Sequence, residues 1–304
     1  MKTKLAFYPF VLLIAACSSA QQLGDTSYVP RIEKPTFDIG KGPVVKIDEA
    51  HHNFHTMNGR YLAFTEVLRH DGYRVEPNTS EFNLDSLHAC SILVISNALN
   101  ERNIDDWSLP TPSAFTDEEI EIVRKWVEDG GALFLIADHM PFPGAAEKLA
   151  AVFGFEFSNG FAFSTLKRGP DIFRRSDGSL RTHEITDGKE PAGRIDSVVT
   201  FGGQAFNANR DHEPIIVFDS NYVALMPKVA WDFDQKVDTL RIAGWMQAAT
   251  TKYGKGRVFV SGEAAMFTSQ VVPGRSGVGL TSTEAAENLR FLRNIMYWLS
   301  GCLD

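Results

Sequence analysis

Three short apolar runs that discharge into acids and histidines constrain this fold more than any other feature. Val44–Ile47 leads into Asp48, Glu49, His51, His52 and His55; Ala132–Ala137 leads into Asp138 and His139; Arg257–Ser261 leads, past one glycine, into Glu263. In an α/β fold such runs are the carboxyl ends of buried strands, where ligand crevices open. If the three strands are parallel in one sheet, their polar ends share one edge. Ser91–Ser96 is a fourth buried-strand run.

Helical patterns separate these runs. Residues 59–70 carry Leu62, Phe64, Thr65 and Leu68 at helical spacing. Thr116 with Glu119 forms a capping box for a helix through Asp129, whose Ile120, Val123 and Val127 share a face. Pro141, Pro143 and Gly144 open a small-residue helix through Val152. The alternation predicts an α/β, doubly wound, mostly parallel sheet.

About 260 residues from Val44 to Asp304 fit one large domain better than two small ones. An irregular insertion of short strands and loops is expected at about 154–214, where Phe155, Phe157, Phe161 and Phe163 alternate as strand residues do. That alternation reads as core first, although a sugar could stack on an exposed member. His183 reads as a loop residue packed on the sheet. A further strand is expected at 239–248, approaching the turn Tyr253-Gly254-Lys255-Gly256. Residues 271–280 hold Pro273, Gly274, Gly277 and Gly279 and are expected to form a flap over the site, with Arg275 at its tip. A second capping box, Thr281 with Glu284, is expected to start a closing helix whose Leu289, Leu292, Met296 and Leu299 are buried.

The first sixteen residues have a basic start (Lys2, Lys4), an apolar core and small residues before Cys17, the order of a secretory signal peptide. Ile14-Ala15-Ala16-Cys17 resembles a bacterial lipobox, which implies lipid modification at Cys17 and, with Ser18 next, an outer-membrane protein facing the periplasm. Residues 17–43 then read as a lipidated tether. Removing the leader takes the formal charge from −8 to about −10. That acidity argues against nucleic acid and leaves the lipid as the only expected membrane contact. Cys90 and Cys302 could pair, but a domain of this size needs no staple.

The strand ends offer imidazole and carboxylate donors of the kind that hold zinc, manganese or iron. His51, Asp138 and Glu263 are the expected metal ligands, Glu49 and His139 the expected acid–base groups, and Asp48, His55 and Arg275 the expected ligand contacts. Each has a structural alternative: Asp48 and Asp138 can cap helices, His139 can bond to backbone, and Glu263 can sit at a helix start.

Taken together, Asp48-Glu-Ala-His51, Gly130-Gly-Ala-Leu-Phe-Leu-Ile-Ala-Asp-His139, His183-Glu-Ile-Thr-Asp-Gly188 and Gly256-Arg-Val-Phe-Val-Ser-Gly-Glu263 resemble the class I glutamine amidotransferase-like superfamily. Asn288 to Leu299 extends the likeness. Within that superfamily, the chain resembles a branch of bacterial lipoproteins near the ThuA-like proteins. The resemblance spans 44–299 and implies a flavodoxin-like sheet, with little said of activity. A glutaminase would need a cysteine on a strand-to-helix elbow, and no Gly-x-Cys-x-Gly occurs. The DEAH at 48–51 has no phosphate loop to work with, which excludes an ATPase, and Gly274 to Gly279 lacks dinucleotide-binding spacing, so no nucleotide is expected.

Two functions remain. One is a metal-assisted hydrolase of a small molecule or glycan. The other is a non-catalytic ligand-binding or assembly module using the same crevice.

Overall fold

The structure, a computed structural model, describes residues 23–188, 193–208, 212–271 and 277–303. Nine strands build the principal sheet: β1 (Val44–Asp48), β2 (Arg74–Asn78), β3 (Ile92–Ser96), β4 (Ala132–Ile136), β5 (Phe155–Phe157), β6 (Phe206–Ala208), β7 (Glu213–Val217), β8 (Met246–Tyr253) and β9 (Gly256–Ser261). Their order is β2-β1-β3-β4-β9-β8-β6-β5, with β7 also paired to β8. The first five in this order are mutually parallel. The rest are antiparallel.

The expected mostly parallel sheet is therefore mixed. The cause lies between β8 and β9: Tyr253 pairs with Gly256, leaving Gly254 and Lys255 as a two-residue turn. Such a turn can only reverse the chain, because a parallel connection needs a crossover of a dozen residues or more.

Helices cover both faces; in chain order the helices are α1 (Leu62–His70), α2 (Leu84–His88), α3 (Asp117–Glu128), α4 (Phe142–Val152), α5 (Glu184–Asp187) and α6 (Asn288–Leu299). Val45, Ile47, Val94, Phe134 and Phe259 point into a core shared with α1 (Leu62–His70) and α6 (Asn288–Leu299), which contribute Phe64, Val67, Phe291 and Ile295. The alternate residues Val44, Leu93, Leu133, Leu135 and Val260 meet α3 (Asp117–Glu128) and α4 (Phe142–Val152) through Val123, Trp126 and Leu149. Burial on both faces explains why these strands are continuous apolar runs. Truncating a side chain such as Leu133, fully buried, would cost ~2–5 kcal/mol.

The capping box of α3 forms as expected: the Thr116 hydroxyl accepts from Glu119 N, and Glu119 accepts from Thr116 N. That expected at Thr281 and Glu284 does not. Helix α6 starts at Asn288, and the carboxylate of Glu287, its N-cap residue, accepts instead from the backbone of Asp196 and Ser197, pinning that segment to the helix end.

The irregular region extends past residue 214. Phe161–Ser164, Tyr222–Met226 and Asp238–Arg241 make a second, antiparallel sheet. The strand expected at 239–248 thus splits between the two sheets. The segment read as a tether lies on the domain from Leu23 onward: Leu23–Gly24 pairs with Ser269–Val271, Phe37 packs edge-on against Tyr73 at 5.1 Å, and Thr36 donates to buried Asp71, which also receives Arg293 at 2.8 Å. Among the described residues no helix is long and apolar enough to cross a membrane.

Candidate functional site

Because β1, β4 and β9 are parallel, Asp48, Asp138 and Glu263 lie at one edge of the sheet, and Cys90, which precedes β3, lies toward the other. The edge holds two separate constellations.

The first is closed. His51 Nδ1 lies 2.9 and 3.0 Å from the two oxygens of Asp48, and Nε2 lies 2.8 Å from Glu119 Oε1. With a carboxylate at each nitrogen, both nitrogens donate and the ring is an imidazolium. Burial alone would pull its pKa down; the bonds and charges of Asp48 and Glu119 outweigh this and leave it raised. Phe82 and Phe115 pack against the ring at 4.6 and 4.7 Å. Glu119 is placed by its own capping box, with one oxygen on Thr116 and the other on His51 and on Phe82 N. Burial pushes its pKa up, but the bonds from Thr116, His51 and Phe82 prevail and lower it.

This geometry overturns the expectation of a metal held by His51, Asp138 and Glu263. An imidazole that donates through both nitrogens has no lone pair for zinc, manganese or iron. Among the described residues no three His, Cys, Asp or Glu side chains converge as a metal site requires. The metal-assisted hydrolase and its divalent cofactor fall with that ligand set. Glu49, expected as an acid–base group, accepts from Met57 N at 2.7 Å and shapes the loop after β1. His55 is buried, bonded to Ser96 and stacked on Tyr61. Burial, followed by the charge of Arg60, lowers its pKa to about 3 and keeps it neutral.

The second constellation opens onto a cavity of about 490 Å³. Its floor holds Asp138 and Glu263, 8% and 1% exposed. Asp138 is fixed by Asn97, which sits at φ 49° just past β3 and accepts from Asp138 N at 2.9 Å. Asp138 itself accepts from His139 N. Glu263 accepts from Ala265 N and Met266 N at 2.9 and 2.7 Å. The close approach of Gly203, at φ 96°, leaves no room there for a Cβ, which would collide with the Gly262 carbonyl and come within 3.0 Å of Glu263 Cβ. Burial raises the pKa of both acids; the charge of Asp138 adds to the rise at Glu263, while His139 offsets part of it at Asp138.

Aromatic side chains wall the cavity. His139 stacks on Phe161 at 4.6 Å and donates Nδ1–H to Met140 O at 2.8 Å. Trp231 meets both rings at 4.6 Å, is 55% exposed, and holds a φ of 70° that side-chain-bearing residues rarely adopt. Lys167 and Arg168 stand among the lining residues.

Of the expected site residues, the structure thus brings together Asp138, His139 and Glu263, and sets Asp48 and His51 apart in the closed cluster. Cys17 and residues 272–276 of the expected flap, Arg275 among them, lie outside the described residues. The sequence reading missed Glu119 as the partner of His51, and it missed Trp231, Asn97 and Lys167. In the sequence Glu119 reads only as a cap; Trp231, in a polar turn-rich stretch, carries no periodic signal.

Cys90 is buried, its thiol turned to Leu87 O, and burial pushes its pKa up to about 12, the opposite of an activated nucleophile. No disulfide joins it to Cys302. His183 caps the short helix Glu184–Asp187, with Nδ1 accepting from Ile185 N and Nε2 lying 2.8 Å from Glu213.

A mixed sheet with helices on both faces and a cavity at its carboxyl edge defines the class to which this α/β protein belongs. No known protein family matches the sequence, and no curated protein does. Solved structures align with the chain. The mmIFT52 N-terminal domain aligns over 84% of this chain and 97% of its own, at 12% identity and a TM-score of 0.58. A ThuA-like protein from Bacteroides uniformis aligns over 89% and 94%, at 12% identity and 0.47. The cytoplasmic protein STM3548 from Salmonella typhimurium aligns over 84% and 98%, at 12% identity and 0.49. The likeness to the mmIFT52 domain, at 12% identity, is one of fold alone.

Proposed function

We propose that this domain is a non-catalytic binding module that takes a small polar molecule or a glycan unit in the cavity beside Asp138 and Glu263, on a scaffold of the class I glutamine amidotransferase-like kind and without glutaminase activity. One observation carries the reading: two buried carboxylates lie at the bottom of an aromatic-walled cavity with an exposed tryptophan at its rim. Apolar walls with a few convergent polar groups are what small-ligand sites are made of. Trp231 supports it further, since a half-exposed aromatic residue on a backbone held at φ 70° needs a reason to persist. The absence of a glutaminase function is supported by the buried, carbonyl-bonded thiol of Cys90.

The test is a calorimetric and thermal-shift screen of sugars, polyols and amino compounds against the purified full chain. A ligand at one hundred times its Kd should stabilise the fold by ~2.7 kcal/mol, and Trp231→Ala should weaken that ligand at least tenfold. Binders held equally well by Trp231→Ala and Glu263→Gln would place the site elsewhere, and release of a product from a bound compound would contradict the non-catalytic reading.

The order of charge, apolar core, small residues and Cys17 at the amino end supports an envelope lipoprotein, anchored in the outer membrane with this module in the periplasm. Cys17→Ser should move the protein out of the membrane fraction or stall its processing; a wild type already soluble, with Cys17 unmodified, would refute the anchor.

A further inference from the structure

The cavity is unevenly charged. Asp138, Asp171, Glu263 and Glu284 line it against Lys167 and Arg168. Lys167 is already engaged, donating to Pro170 O at 2.7 Å and lying 3.7 Å from Asp171. The guanidinium of Arg168 stands 6.0 Å from the Phe163 ring centroid, so this wall already has a cation against an aromatic ring. On the floor, the hydrogen bonds to Asp138 and Glu263 come from backbone amides, and among the described residues no lysine or arginine forms an ion pair with either. Two neighbouring carboxylates out of water without a counter-charge are costly, and a cation entering the cavity removes that cost.

A second observation points the same way. Ser282 lines the cavity, is more than nine-tenths buried, and its hydroxyl has no hydrogen-bond partner among the described residues. Asp138, Glu263 and Ser282 together offer acceptor oxygens in one enclosed place. A metal ion needs more protein ligands than this place supplies. A protonated amine has three donors and no acceptor, and its charge suits the faces of Phe161 and Trp231.

We propose that the ligand of this cavity is a small organic cation, a protonated amine whose ammonium sits over Asp138 and Glu263 within reach of Ser282, with its carbon frame against Trp231 and Phe161. This rests on the binding-module reading and narrows it to one class of ligand. Neutral polyols and anions lack the charge that the floor leaves unmatched.

The experiment compares compounds of one frame that differ in charge. D-glucosamine, D-glucose, N-acetyl-D-glucosamine and D-glucuronate, with cyclohexylamine and cyclohexanol as a second pair, are titrated calorimetrically into the full chain at pH 7. In at least one pair the amine should bind tenfold or more tighter than its neutral counterpart, with D-glucuronate weakest of the sugars. Asp138→Asn and Glu263→Gln should each remove most of the preference while sparing residual affinity for neutral compounds; circular dichroism confirms that they fold. Ser282→Ala, the mildest change, should reduce amine affinity several-fold, and quenching of Trp231 fluorescence, absent in Trp231→Phe, should follow the same isotherm. If neutral members bind as tightly as the amines, the inference fails and the binding module stands. If no member binds, the inference fails and the module reading loses its support with it.

Discussion

Two groups of acids and a histidine occupy the same edge of the same sheet, and they differ in every respect that matters for function. In the Asp48–His51–Glu119 cluster the opposite charges meet, each ring nitrogen has its acceptor, and two phenylalanines seal the site. In the Asp138–His139–Glu263 cluster like charges are neighbours, the histidine is held through Nδ1 by a backbone carbonyl, and a cavity stands open beside them. The first spends its polar groups on the fold; the second keeps them for something that is not part of the chain. Residue type alone does not distinguish the two, whereas hydrogen-bond satisfaction does.

The contrast breaks most visibly at His51. His51→Ala leaves two buried carboxylates unpaired, so chemical denaturation should show a loss of ~3–5 kcal/mol, with ligand binding by the remaining folded protein unchanged. A loss under ~1 kcal/mol would mean the cluster is not the buried ion triad described. Its pH dependence has a definite sign. The raised pKa of His51 gives stability that is present below the unfolded value of 6.5 and lost as pH rises through the folded value. The lowered pKa of Glu119 gives stability that is present above 4.5 and lost as pH falls through its folded value. The wild type should therefore lose its advantage over His51→Ala at both ends of the pH range in denaturation midpoints.

Gly203→Ala comes next. It combines a positive φ with a collision against the Gly262 carbonyl, and should cost ~1–3 kcal/mol. Because the displaced backbone carries Glu263, it should also weaken any cavity ligand; a neutral effect on both would show that the loop moves freely.

Asp138→Asn should act with the opposite sign. The folded pKa values of Asp138 and Glu263 are raised above 3.8 and 4.5, so their contribution is fully present below those values and is lost as pH rises through the folded ones. Removing one charge should stabilise the fold at pH 7–8, because burial and the neighbouring acid both disfavour the charged form, and the gain should vanish toward pH 4. A variant less stable than wild type at pH 8 would mean that the pair is neutralised by a partner.

Smallest in stability is Trp231→Ala, expected within ~0.5 kcal/mol of wild type because the side chain is largely outside the core. A larger loss, read from the thermal midpoint, would make Trp231 a packing residue and remove it from the site.

Much of this arrangement could be read from residue order. Val44–Asp48, Ala132–Asp138 and Arg257–Glu263 announce buried strands with polar ends, and parallel pairing does set them on one edge. The α3 capping box was legible because it is local, closing over three residues. The pairing of His51 with Glu119 was not, since 68 residues separate them and only the packing of α3 on the sheet brings them together. That pairing decides against the metal, so the sequence could offer the right atoms for coordination while hiding that they were already used. The antiparallel half of the sheet was signalled by the turn at Gly254 and Lys255, yet its consequence depends on which strand lies beside β9. Trp231 follows no period, and its place at the cavity comes from the path of the chain after Tyr222–Met226.

The most direct test of the central contrast is the nitrogen-15 spectrum of the histidine side chains in the full chain at pH 7, recorded alone, with zinc, and with D-glucosamine. His51 should show two protonated ring nitrogens in all three samples, and His139 should show a protonated Nδ1 and ring shifts that move on adding D-glucosamine and not zinc. A bare nitrogen on His51, or a His51 resonance that responds to zinc while His139 stays still under both additions, would contradict the account.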